Sequence, residues 1–236
     1  MMEQPQQIKI INKVRLTTDG LFVKGTKQEI HLQQGSLDGA CAVYSLIMCL
    51  MIIKVIKRKD VVDLDYHHDG RTSKGRLVKT FFENNGLIRK GYWFKKLQQD
   101  LNSACKKLIF AEFYISPSLA DEIGNDFPEL DQSEIKASLV DEILNKLDDN
   151  LPVEIGFTRK GKNSGHAIVV LGYQESQSIV SLFCLDPGYP LAKGQIWNNI
   201  LQIDKNSTSK YNCINYQENS CICIDEALIV TPKRQF

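Results

Sequence analysis

Apolar and polar positions alternate along residues 8–17 and 21–24, on either side of Asp19-Gly20, a two-residue hairpin signal. A short strand around residues 29–32 leads into the polar loop Gln33-Gln34-Gly35-Ser36-Leu37-Asp38-Gly39. The pattern then changes abruptly. From residue 40 to about residue 56 the chain is apolar on nearly every side, which predicts a buried helix closed by Lys57-Arg58-Lys59. Asp38 is its natural N-cap and sets Cys41 in the first turn.

Residues 60–75 lack periodicity and predict a loop. Helices are expected over residues 75–85, with Gly86 as the C′ residue, and over residues 92–107. Residues 108–115 read as a strand. Asp131-Gln132-Ser133-Glu134 is a capping-box start, and Ile135, Leu139, Ile143 and Leu147 continue it as an amphipathic helix to about Asp149. Beyond Pro152 the pattern turns to strands at residues 153–158, 166–174, 178–185 and 221–230. A hairpin, then helices, then mostly antiparallel strands is the order of an α+β fold.

Composition narrows the classes. With 236 residues the chain fits one large domain, or one domain with a small extension. Hydrophobic residues at 43% against 24% charged exclude wholesale disorder. A formal net charge of +1 argues against a nucleic-acid partner, which bulk phosphate contact would make far more basic. The N-terminus lacks the apolar run of a secretion signal, and the most apolar stretch is too short to span a bilayer. A soluble, cytoplasmic protein with no membrane partner is the expectation. Seven cysteines, an odd and irregular set, suit free thiols in a reducing compartment better than a disulfide framework.

Three islands carry chemistry. The Gln34 loop enters a helix with Cys41 in its first turn; Gly165-His166 opens an apolar strand; Asp186-Pro187 ends the next. The thiolate is the reactive form of cysteine, and a helix N-terminus and an imidazolium both favour it. The histidine needs a third group to fix its orientation, and a carboxylate at a strand end supplies one. Attack on a carbonyl makes an oxyanion, for which the Cys41 N–H and the Gln34 amide are suitable donors.

With the order Gln, Cys, His, Asp, residues 33–50 and 164–190 resemble the papain-like cysteine peptidase superfamily, nearest to the bacterial branch of bacteriocin leader peptidases. The resemblance implies a papain-like α+β fold: a helical part around the Cys41 helix, packed on a twisted antiparallel sheet that bears His166 and Asp186. It implies an N-terminal β-hairpin extension at residues 1–32 and a peptidase domain at residues 33–236. Cys41, His166 and Asp186 are then the catalytic triad and Gln34 the oxyanion donor. Gln33 is the second candidate, because family members usually place this Gln six positions before the cysteine and here Gly35 stands there. Ala42 replaces the Gly common after the cysteine, and Asp186 replaces the Asn of papain.

The implied function is hydrolysis of a peptide or isopeptide bond through a thioester acyl-enzyme, acting on a peptide or protein substrate. No metal or organic cofactor is implied, and a regulatory partner is left open. The alternatives are a deamidase or acyltransferase on the same fold, or a catalytically silent peptide-binding module. Other candidates are weaker. Cys221 and Cys223 with Cys213 have poor spacing for zinc. His67-His68 lies in a polar loop, and the basic residues at 54–59 and 89–96 read as solvated helix ends. Tyr92, Trp93 and Phe94 could line a peptide groove.

Overall fold

The computed structural model describes residues 7–35, 39–62, 69–79, 92–123, 130–162 and 164–233. In chain order the elements are β1 (Lys9–Ile10), β2 (Val14–Thr17), β3 (Gly20–Val23), α1 (Cys41–Ile52), α2 (Lys59–Val62), α3 (Ser73–Val78) and α4 (Phe94–Ala104). Then come β4 (Ile109–Ile115), α5 (Pro117–Ile123), a 3₁₀ turn at Gln132–Glu134, α6 (Leu139–Asp148), β5 (Val153–Arg159) and β6 (Gly165–Ser176). The chain finishes with β7 (Ile179–Leu185), β8 (Asn199–Asp204), β9 (Cys213–Asn215) and β10 (Ser220–Pro232).

The late strands form the frame. They run β6-β5-β10-β9-β8-β7, and β7 pairs back onto β6, so the sheet closes on itself like a barrel. The expected twisted sheet is antiparallel throughout, and its closure is a feature the expectation did not include. Closure depends on β8 and β9, which the sequence pattern did not reveal because each is short and lies among polar turns. Two further strands extend the sheet: β4 pairs with β10, and β1 with β6. A side chain at Gly172 would prevent the second pairing, since its Cβ would lie 2.2 Å from the Lys9 carbonyl oxygen. The early hairpin forms with Thr17 opposite Gly20, so the turn residues are Thr18-Asp19, one position earlier than expected.

Helix α1 is apolar on nearly every side because it is buried on nearly every side. Leu46, Ile47, Met48, Leu50, Met51 and Ile52 are all inaccessible or nearly so, each such burial contributing about 1.5–3 kcal/mol. It packs against β5 and β6. Its buried hydroxyl, Ser45, donates to the Ala167 carbonyl of β6 at 3.1 Å, so no polar cost remains. Its N-cap is Ala40, with no side-chain cap; Asp38, expected there, lies outside the described residues, as do Gly86 and His67-His68.

The capping box at Asp131 forms, but it caps only the 3₁₀ turn. Both oxygens of Glu134 are taken by the buried Lys95 ammonium of α4, at 2.5 and 2.8 Å, and Ile135 leaves the turn extended to bridge Ile115. A new cap at Ser138 then starts α6. Tertiary pairing outweighs the periodic signal here.

Candidate active site

Cys41 is the first residue of α1, where the backbone N–H groups lack intrahelical partners and a positive potential builds. His166 is the second residue of β6, opposite Phe157 of β5, whose ring meets the imidazole edge-on at 5.5 Å. Asp186 follows β7 directly and is 0% exposed. Because β7 pairs with β6, the carboxylate comes level with the imidazole, and His166 Nε2 lies 2.7 Å from Asp186 Oδ1.

The electrostatics agree with that geometry. Burial would push the Cys41 thiol up, but a hydrogen bond and charge from His166, with the Ala167 and Ala42 N–H groups, bring it below its ordinary value. Burial would likewise lower His166. Hydrogen bonds to Asp186 and then Cys41 outweigh it and raise the imidazole to about 9. Other thiols move the opposite way: burial pushes Cys105 to about 11, Cys223 to about 12, and Cys49, Cys184 and Cys213 upward. A lowered thiol beside a raised imidazole is the arrangement of a thiolate–imidazolium pair.

Asp186 is held on every side. Gly188 N–H donates to Oδ1 at 2.8 Å, and the buried Asn199 Nδ2 to Oδ2 at 3.1 Å. Asn198 brackets its backbone, accepting from Asp186 N–H at 2.7 Å and donating to its carbonyl at 2.8 Å. His31, lowered by burial, also approaches that carbonyl, at 3.3 Å. Sequence reasoning passed over Asn198 and Asn199. Their one signal was two consecutive amides at the start of an apolar strand.

Cys41 and His166 open onto a cavity of about 740 Å³. Gln34 lines it beside Gly39 and Ala42, and its backbone N–H donates to the Pro187 carbonyl at 2.7 Å, which fixes the loop against the Asp186 segment. Gln33 is exposed and not part of the lining. Tyr92, Trp93 and Phe94 form part of the wall, as do Leu119 and Ile123 of α5. Two acids that the sequence reading did not single out, Asp225 and Glu226 of β10, also line it. Behind the lining, Glu154 of β5 is buried with both side-chain oxygens lacking partners, and burial, then the Cys41 and Glu226 charges, keep it well above the usual carboxylate range. Among the described residues no group of three or more His, Cys, Asp or Glu is placed to hold a metal ion, and no helix is long and apolar enough to cross a membrane.

Residues 21–219 match the Peptidase_C39 like family. The chain belongs to that family. Membership places it in the papain-like cysteine peptidase superfamily, among cysteine hydrolases. No curated protein matches the chain. Among solved structures, the crystal structure of UfSP from C. elegans is similar over 99% of this chain and 36% of that one, at 15% identity and a TM-score of 0.42.

Proposed function

We propose that this protein hydrolyses peptide or isopeptide bonds with Cys41 as nucleophile, His166 as acid and base, and Asp186 as the orienting carboxylate. The observation that carries this reading is Cys41 and His166 together on the wall of one cavity, the thiol bonded to the imidazole and the imidazole to the buried Asp186 behind it. With Nε2 held by Asp186, the other ring nitrogen serves the sulfur.

The thiolate attacks the substrate carbonyl carbon, a C–S bond forms, and the carbonyl electron pair moves onto oxygen. The Cys41 backbone N–H and the Gln34 amide hold that oxyanion; the position of Gln34 on the cavity wall supports it over Gln33. As the oxyanion collapses, the C–N bond breaks and His166 passes its proton to the leaving amine. Water then attacks the thioester, His166 takes a water proton, and the C–S bond breaks to release the acid and restore the thiolate. Asp186 touches no substrate in this scheme and acts by orienting and charging the ring.

Incubation of wild type and Cys41→Ala with a random peptide library, read by mass spectrometry, tests the proposal. Products are expected with wild type alone. Cleavage that persists in Cys41→Ala overturns it, and a mass change without chain cleavage assigns the thiol chemistry to a side-chain amide instead.

A further inference from the structure

We propose that Asp225 and Glu226 form the selective wall of the substrate cavity and draw a lysine or arginine side chain of the peptide to it. This rests on the reading that Cys41 acts on peptides, and it adds the class of residue the site prefers.

Consecutive residues of a strand normally point to opposite faces. Here both line one cavity, because the pairing of β10 with β5 slips between Ile224 and Glu226: Ile224 lies opposite Phe157, Glu226 opposite Gly156, and Asp225 is the extra residue. A bulge beside an active site commonly re-aims side chains in this way. Gly156 completes the device. A Cβ there would stand 2.7 Å from Glu226 Cγ and 2.8 Å from its Oε1, so the missing side chain is the space that Glu226 occupies.

Both carboxyls are built in and incompletely satisfied. Asp225 is 3% exposed, and its Oδ2 is buried without a hydrogen-bond partner; Glu226 Oε2 is likewise buried and unpartnered. A buried carboxylate oxygen with nothing to accept is costly, and a bound donor removes that cost. The described residues lining the cavity include no lysine and no arginine; His166 is their basic group, and Asp186 already holds it. Lys210 acts on Asp225 from outside that lining and is itself paired with Glu122. Trp93, Tyr92 and Phe94 add aromatic faces, a favourable surface for an ammonium or guanidinium.

The titration of Glu226 fits this role. Burial first, then the Asp225 charge, push its carboxyl to about 8, against N–H donors from Phe94 and Trp93. An empty cavity therefore holds a proton on Glu226 near neutrality, and an arriving cation replaces it with an ion pair. The N–H groups of Phe94 and Trp93 keep the carboxyl group in place meanwhile.

The test uses N-acetylated peptide libraries with Lys, Arg, norleucine or Glu fixed at each position in turn, so that the side chain supplies the cation. Cleavage is followed with wild type, and retention is measured on immobilised Cys41→Ala. At one position Lys or Arg is expected to exceed norleucine by about tenfold in both assays, the scale of one charge-assisted hydrogen bond, with Glu lowest. Glu226→Gln and Asp225→Asn should each shrink that ratio. Retention that favours Lys or Arg without any cleavage supports the pocket and overturns the hydrolase reading. Cleavage with norleucine equal to Lys and Arg at every position overturns the pocket and leaves the hydrolase standing. A ratio that survives both substitutions also overturns the pocket; should either variant fail to fold, the wild-type ratio alone decides.

Discussion

Replacing Asp186 with Asn preserves the shape of a side chain that is wholly buried and removes its charge. The consequence follows from His166. Its rise from 6.5 to about 9 corresponds to roughly 3 kcal/mol of preference for the imidazolium, at about 1.36 kcal/mol per pH unit. Burial works against that preference, and the hydrogen bond to Asp186 is the largest contribution in its favour. The imidazolium is the form stabilised, so activity that needs it persists below the raised value and is lost as pH rises through about 9. Losing the carboxylate moves that loss to lower pH. The expected change is a fall of about one pH unit or more in the alkaline limb of kcat/KM, with a reduced but measurable plateau. The acid limb, which reports the Cys41 thiol, should move less. The assay is a pH–rate profile of wild type and Asp186→Asn on one cleaved peptide. An unmoved alkaline limb with an undiminished rate would refute the reasoning and reduce the site to a Cys41–His166 dyad.

Three further outcomes are expected. Gln34→Ala should lose about 10²–10³ in kcat at nearly constant Tm, while Gln33→Ala, whose side chain is outside the cavity lining, should be close to silent. Asn199→Leu leaves Asp186 Oδ2 without its donor, so Tm should drop by an amount equivalent to about 1–3 kcal/mol and kcat should fall with it. Gly172→Ala forces a Cβ against the Lys9 carbonyl; β1 should detach, at a cost of about 1–3 kcal/mol, and limited proteolysis should cut near residues 7–13 faster than in wild type.

What could be read from the sequence was whatever local chemistry dictates. The helix bearing Cys41 was legible because residues 42–52 are apolar on nearly every side, and the strand bearing His166 because residues 167–171 are uniformly so. The three islands could be matched in chain order with no knowledge of distance. Long-range contacts made the rest illegible. The capping box at Asp131 ends after one turn because Lys95, distant in sequence, claims Glu134. Closure of the sheet depends on β9, a strand of three residues pairing on both sides, which no periodicity reveals. Asn199 lies outside every expected strand and carries no signal of its own until folding sets its amide on Asp186. Asp225 and Glu226 fall inside an expected strand and drew no reading of their own, because the slip in pairing that turns both to the cavity has no local signature.

The most direct test of the account is thiol reactivity. Cys221 is the exposed cysteine, whereas Cys41 is half-buried, so accessibility and thiolate character predict opposite orders. Wild type and His166→Ala are treated with limiting iodoacetamide at pH 6.5, and the modified cysteines are mapped by mass spectrometry. The account predicts that Cys41 is alkylated first in wild type and loses that lead when His166 is removed. Alkylation of Cys221 first, with Cys41 inert in both proteins, would contradict it.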